Sequence, residues 1–298
     1  MPEQVRFHSA AELMQDEEIL TLARLFVRLG FDKLRLTGGE PTLRPNLVEL
    51  VRRIAHLRGV RTLTMTTNGV LLKDLAQPLA RAGLQRVNIS LDTLDPQRFC
   101  EITRRGALES VWQGIDAAER AGLTPIKINV VMMESTPSQE YLRLARLTLT
   151  RPWQVRFIEW MPLNGANDVA QHHFVTASAV QARIESELGN LEMLNNGELD
   201  GEARLYRLVG AAGDLGFINS ISDPFCDACT RIRLTADGKM RLCLLHDDEV
   251  DLLTPLRNGA STAELRRMIL QGIWNKPKGH DLALGDLPVQ RSMSQIGG

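Results

Sequence analysis

Cysteine is scarce in this chain, and long apolar runs are absent: four cysteines occur in 298 residues. No stretch of about 18 uncharged apolar residues occurs, so no transmembrane helix is expected. Met1-Pro2-Glu3-Gln4 carries no charged stretch leading into an apolar one. No signal peptide is expected, and the cytoplasm is the expected location. The formal net charge is −1, so no basic excess points to nucleic acid or a membrane surface as partner. No internal repeat or low-complexity tract is present. The few cysteines are not scattered, because Cys226, Cys229 and Cys243 fall within 18 residues. In a reducing compartment such grouping suggests metal or redox chemistry before disulfides.

Hydrophobic residues make up 44 % and charged residues 24 %, enough for a globular core. Periodicity predicts helices over 16–29, 47–57, 74–82, 107–121, 138–148 and 176–188. Gly30, Gly83 and Gly122 read as stops and Asn46 as an N-cap, while Pro78 weakens the third helix. Strands are predicted over 33–37, 62–66, 86–91, 126–132 and 155–160. This alternation indicates parallel β/α construction, an α/β fold with both sheet faces buried and few surface charges on the strands. Residues 163–175 read as a polar loop and 190–215 as a loop with an antiparallel strand pair. Past residue 216 the pattern changes. Ala236-Asp237-Gly238 joins strands 231–235 and 239–244 in a hairpin. Ser261-x-x-Glu264 is a capping box opening a helix through Ile273, and the tail from Arg291 is polar. Two regions are expected, 1–215 and 216–298.

The pattern Cys226-x2-Cys229-x13-Cys243 brings three thiolates together across the hairpin. Thiolates select soft metals. Two readings fit: a Cys3His zinc site completed by His246, or a cluster with one iron left open as a Lewis acid. Arg231 and Arg233 alternate on the strand after Cys229. Their forks suit phosphate oxygens.

Active sites of parallel β/α folds gather at the carboxyl ends of the strands. Polar groups punctuate those ends: Thr37-Gly38-Gly39-Glu40-Pro41, Thr66-Thr67-Asn68-Gly69, Ser90-Leu91-Asp92, Lys127-Ile128-Asn129 and Met161-Pro162.

Leu36-Thr37-Gly38-Gly39-Glu40-Pro41, Thr66-Thr67-Asn68-Gly69, Ser90-Leu91-Asp92, the three cysteines with Thr230-Arg231-Ile232-Arg233, and the terminal Gly297-Gly298 resemble the GTP 3′,8-cyclase family of radical S-adenosylmethionine enzymes. That family performs the first step of molybdenum cofactor biosynthesis. The resemblance spans essentially the whole chain. It implies an incomplete parallel β/α barrel with a C-terminal cysteine-cluster region, two [4Fe–4S] clusters and S-adenosylmethionine. It implies that a 5′-deoxyadenosyl radical abstracts the 3′-hydrogen of GTP and that the carbon radical then closes on C8 of guanine. By the same resemblance Cys226, Cys229 and Cys243 hold the second cluster. Arg35, Thr66, Lys127, Arg231, Ile232 and Arg233 contact GTP. Gly39, Glu40, Ser90 and Met161 contact S-adenosylmethionine. Gly297 and Gly298 enter the active site and assist the radical step. Implied partners are a reductant such as flavodoxin, the next enzyme of the pathway (cyclic pyranopterin monophosphate synthase) and a second copy of the chain.

One family motif is missing. The C-x3-C-x2-C of the S-adenosylmethionine cluster does not occur in the 298 residues, and Cys100 stands alone on a helix-like stretch where a buried small residue is expected. The expectation is a chain that starts past that motif and lacks the first barrel strand. Such a chain exposes the edge of strand 33–37 or its neighbour and does not cleave S-adenosylmethionine by itself. Two other readings are a GTP-binding pseudoenzyme with one cluster and a zinc-stabilised binding protein. Peptide-modifying relatives share the barrel, but Arg231, Arg233 and the Gly-Gly end disfavour them.

Overall fold

A computed structural model describes residues 8–104, 106–163, 174–280, 288–289, 291 and 293–296. Strands β1 (Lys33–Leu36), β2 (Thr62–Thr67), β3 (Arg86–Ser90), β4 (Lys127–Met132) and β5 (Gln154–Glu159) lie parallel, each beside the next. β6 (Leu191–Met193) and β7 (Arg204–Leu208) are antiparallel, and β8 (Asp214–Ile218) lies parallel to β5. The eight strands run β1-β2-β3-β4-β5-β8-β7-β6, an open partial barrel with β1 at one edge among the described residues. The change of pattern seen at residue 216 thus falls inside β8.

The helices that accompany the sheet are α1 (Asp16–Arg28), α2 (Leu47–Ala55), α3 (Leu72–Arg81), α4 (Pro96–Thr103), α5 (Leu108–Arg120), α6 (Ser138–Thr150) and α7 (Ala177–Leu188). Most follow the predicted ranges within a few residues. Asn46 is the N-cap residue of α2, as expected, but it takes φ 58° and makes no capping hydrogen bond through its side chain. The helix-like stretch expected around Cys100 is α4. Asp95 caps it, accepting from the Arg98 amide at 2.8 Å, and Pro96 starts it. Cys100 lies on α4 and is exposed, which corrects the expected burial. Its neighbour Phe99 takes the inward direction, and one residue turns the helix by about 100°.

Every parallel strand alternates. Leu63, Met65, Val87, Ile89, Ile128, Val130, Val155 and Phe157 pack against Leu50, Val51, Ile54, Leu79, Val111, Ile115 and Leu144 of the helices. Thr64, Thr66, Asn88, Lys127, Gln154 and Arg156 occupy the other face and are buried as well. Both faces are therefore covered, but only one is apolar.

The C-terminal region adds a three-stranded sheet, β9 (Arg233–Leu234), β10 (Lys239–Arg241) and β11 (Glu249–Asp251), with β10 central. Gly238 closes the predicted hairpin at φ +73°, a conformation that favours glycine. Helices α8 (Leu253–Arg257), α9 (Thr262–Trp274) and α10 (Met293–Ile296) follow, and α9 starts on the predicted Ser261/Glu264 capping box. This region docks on α1: Leu22, Leu25 and Phe26 share a core with Met240, Leu252, Leu265 and Ile269. Arg257 reinforces the contact, with Nε 2.7 Å from Glu18. Among the described residues no helix is long and apolar enough to cross a membrane.

Candidate active site

The polar face of the sheet forms the floor of the site. Strand register sets Arg35 beside Thr64 and Thr64 beside Arg86. A second row runs Thr66, Asn88, Lys127, Gln154, and a third runs Ser90, Asn129, Arg156, Gly216. Asn88 donates to the Thr66 hydroxyl at 3.3 Å. Arg156 is 1 % exposed, and its Nε and Nη2 donate to Asn129 Oδ1 at 2.9 and 2.7 Å. Gly216 makes room for it: a Cβ there would lie 3.0 Å from Arg156 Cγ.

Two carboxylates face these cations from the β6–β7 connection. Asp200 pairs with the Lys127 ammonium and accepts from Gln154 at 3.3 Å. Burial and the nearby Arg156 push the Lys127 pKa down to about 8 despite that pairing. Glu202 lies 3.2 Å from Arg35 Nη1, 3.6 Å from Arg231 Nη1 and 3.9 Å from Arg156 Nη1. Burial opposes its ionisation, but Arg35, Arg156 and Arg231 outweigh burial and bring its pKa down to about 2. Burial lowers Arg156 to about 10. Burial, with Arg231 and Arg35 adding to it, lowers Arg233 to about 10.

Carboxylates also fix the loops at the strand ends. Glu40 accepts from the Thr42 amide at 3.1 Å, the Thr42 and Thr67 hydroxyls at 2.6 Å each and the Asn68 amide at 2.8 Å. It thereby ties the loop after β1 to the loop after β2. Glu159, fully buried at the end of β5, accepts from the amides of Ala177, Ile221 and Ser222 at 2.9 Å each and from the Ser222 hydroxyl at 2.5 Å. It anchors the segment that leads to Cys226. Asp92 accepts from the Val131 amide at 2.8 Å, and burial raises its pKa.

The three cysteines border this floor. Cys226 opens a short 3-10 turn, Cys226–Ala228, whose next residue is Cys229, and Cys243 lies just past β10. Burial raises the Cys226 thiol, and the charges of Cys243 and Cys229 raise it further. Burial likewise raises Cys243. At Cys229 burial is outweighed by hydrogen bonds and charge from Arg231 and by Lys276, so this thiol is lowered. Among the described residues, no three of His, Cys, Asp and Glu gather tightly enough for a single metal ion. His246 places Nε2 2.9 Å from the Gly279 carbonyl. Three soft thiols in mutual electrostatic range, with cations beside them, fit an iron–sulfur cluster lacking one cysteine ligand.

The structure brings together Arg35, Thr66, Lys127, Arg231 and Arg233 at or beside the floor. Arg231 stacks on the Phe225 ring at 4.9 Å. Arg231 lies just before β9 and Arg233 opens it; Arg231 lies 3.6 Å from Glu202, and Arg233 is within electrostatic range of both. Ile232 differs from its neighbours: its side chain packs into the core against α1. Gly39 and Ser90 lie at strand ends, and Met161 packs with Cys243, Leu245 and Ile296. Gly297 and Gly298 lie outside the described residues, but the Ile296 carbonyl before them accepts from Arg233 at 3.3 Å. Sequence reasoning missed Arg86, Asn88, Arg156, Asp200, Glu202 and Lys276, and it placed Asn129 among the strand-end polar groups without giving it a role. A polar residue at every second position of a buried parallel strand is the signal that marks Arg86, Asn88, Asn129 and Arg156.

Comparison with known proteins decides the family. The Radical SAM superfamily model matches residues 2–148, and the Molybdenum Cofactor Synthesis C model matches residues 153–282. A GTP 3′,8-cyclase of Pelotomaculum thermopropionicum is 44 % identical over 299 residues, covering 100 % of this chain and 92 % of that one. The Moorella thermoacetica GTP 3′,8-cyclase is 46 % identical, covering 96 % and 88 %. The chain belongs to the GTP 3′,8-cyclase family. Among solved structures, a radical SAM methyltransferase from Sphaerobacter thermophilus is 18 % identical with a TM-score of 0.45, covering 57 % of this chain and 52 % of that one. As a family member the chain is related to radical S-adenosylmethionine enzymes of molybdenum cofactor synthesis, whose chemistry uses a [4Fe–4S] cluster.

Proposed function

We propose that this chain is a cytoplasmic protein that binds GTP across the polar floor as the substrate of the family's reaction, whose product is (8S)-3′,8-cyclo-7,8-dihydroguanosine 5′-triphosphate. The carrying observation is the convergence of Arg35, Lys127, Arg156, Arg231 and Arg233 beside three thiols. Five cations are more than a neutral ligand needs, and guanidinium forks match phosphate oxygens. Residues 1–215 supply the partial barrel on this reading, and 216–298 the cluster and phosphate-binding region.

Cys226, Cys229 and Cys243 would hold the C-terminal cluster. When bound it supplies an iron without a cysteine ligand, a Lewis acid for a guanine heteroatom. Arg231 and Arg233 orient the triphosphate relative to that iron, while Arg35 and Lys127 hold it from the barrel side. Thr66 offers a hydroxyl, and the backbone of Ile232 lies between the two arginines. Gly39, Ser90 and Met161 receive S-adenosylmethionine. Glu40 serves that site by shaping the loop that presents Gly39, since four donors already take its oxygens. The chain end leaves from Ile296 beside Arg233, which suits entry of Gly297 and Gly298 into the site.

These 298 residues hold thiols for one cluster only, so we propose that they do not cleave S-adenosylmethionine unaided. A reductant such as flavodoxin, the next pathway enzyme and a second copy of the chain are the partners this reading implies. The test is anaerobic reconstitution, iron and sulfide analysis, and GTP binding. One cluster's iron per chain, visible absorption and micromolar GTP affinity that collapses in Arg231→Ala/Arg233→Ala are expected. A colourless zinc protein, or unchanged affinity in the double variant, overturns the assignment. Two clusters with 5′-deoxyadenosine formed would contradict the inactivity of the chain alone.

A further inference from the structure

Glu202 occupies an unusual place for an acid. Asp200 and Ala203 close a tight turn through backbone hydrogen bonds at 2.9 and 3.3 Å. Gly201 takes φ +68° within it. The turn leaves Glu202 at the tip of the β6–β7 connection, and the side chain reaches over the polar floor with 9 % exposure. Its partners come from distant parts of the chain: Arg35 from β1, Arg156 from β5 and Arg231 from the segment after Cys229. These are the guanidinium groups that a phosphate chain would engage.

A carboxylate and a phosphate compete for the same guanidinium donors, since both present paired anionic oxygens. They also repel one another at these distances in a poorly solvated site. Without Glu202, Arg35, Arg156 and Arg231 would face each other with no anion between them. With it, the free protein is held in order, and an incoming anion must displace a partner already in place.

Building on the GTP-binding reading, we infer that Glu202 is the resident counter-anion of the site, exchanged for nucleotide phosphate when substrate binds. It is a positioning residue that also sets how much anionic charge a ligand needs to enter. A triphosphate meets this requirement because it reaches Lys127 and Arg233 beyond the three groups Glu202 holds. A single weak anion does not.

The test is equilibrium dialysis at fixed salt, using the 298-residue chain with its C-terminal cluster reconstituted. Parent, Glu202→Gln and Glu202→Asp are compared with GTP, inorganic triphosphate and uncharged guanosine. Glu202→Gln is expected to bind GTP and triphosphate roughly tenfold more tightly, the worth of about one charge-assisted hydrogen bond. Glu202→Asp keeps the charge but shortens the reach, so a smaller gain is expected. Guanosine binding is expected to stay the same. A purely structural role predicts equal or weaker phosphate binding in both variants, and that result overturns the inference. If Glu202→Gln fails to fold, Glu202→Asp alone decides. A parent that does not bind GTP defeats the functional reading instead.

Discussion

Lys276 places its ammonium 2.6 Å from the carbonyl oxygen of Cys229 and 3.4 Å from its Sγ. A third contact, 2.8 Å to the carbonyl of Arg231, lets one side chain from beyond α9 close the cysteine loop against the segment that leads into β9. The three thiols are consequently not equivalent. Cys229 is lowered by Arg231 and Lys276 against the effect of burial, while burial raises Cys226 and Cys243.

Thiolate content controls alkylation rate. In the metal-free chain, iodoacetamide at pH 8 is expected to label Cys229 before Cys226 and Cys243. Lys276→Gln is expected to slow Cys229 severalfold, Cys243 to a smaller extent, and leave Cys226 nearly unaffected. Peptide mass spectrometry over a time course reads both. Equal rates at the three sites would refute this order.

Glu159 carries a structural load that the sequence does not advertise. Its four donors come from the start of α7 and from the Ile221–Ser222 segment. Glu159→Ala leaves the buried Ala177 amide and the part-buried Ile221 and Ser222 amides without their acceptor, at about 1–3 kcal/mol for a fully buried group. A loss of about 3–5 kcal/mol is expected in urea unfolding of the metal-free chain. Reconstituted iron is expected to fall with it, because the freed segment runs on to Cys226.

The parallel strands were legible because each is a short apolar stretch between a helix and a Gly- or Asn-bearing turn. The cysteine loop was legible because its spacing is chemical, not periodic. Arg156 escaped because it sits inside a strand flanked by Val155 and Phe157, where a charge reads as incidental. Its partner Asn129 became meaningful only once register put the two side by side. Asp200 and Glu202 lie in a turn whose Gly201 signals a bend and nothing more. Their role arises from the fold bringing β1, β5 and the cysteine loop to that tip. The bounds of α4 were not legible because its eight residues bury only Phe99.

Acid should weaken the protein in a defined window. Glu202 and Asp237 are each held to about 2, from ordinary values of 4.5 and 3.8. For Asp237, hydrogen bonds from Arg291 and Thr235 prevail over burial, and Arg291 Nη2 lies 2.8 Å away. A depressed carboxylate stabilises the fold above its unfolded pKa, and that contribution is lost as pH falls through the folded one. Urea midpoints are therefore expected to drop between about pH 4.5 and 2. Asp237→Asn is expected to start lower and to fall less steeply. An acid limb as steep as the parent's would contradict this account.

Lys127 gives the opposite pH signature for folding and for binding. Its folded pKa is about 8, against an ordinary 10.5, with burial as the main cause and Arg156 adding to it. Between these values the unfolded chain binds more protons than the folded one, so stability should rise with pH across that window. Binding runs the other way, because only the ammonium form attracts phosphate. GTP affinity is expected to be flat below about pH 8 and to fall above it, by up to about tenfold per unit. Lys127→Arg keeps its charge throughout this range, since guanidinium groups titrate far higher. The ratio of parent to variant affinity, measured from pH 7 to 9, cancels any titration of the nucleotide itself. That ratio is expected to stay constant up to about pH 8 and to decline beyond it. A ratio that stays level to pH 9 would mean that the Lys127 ammonium takes no part in holding the phosphates.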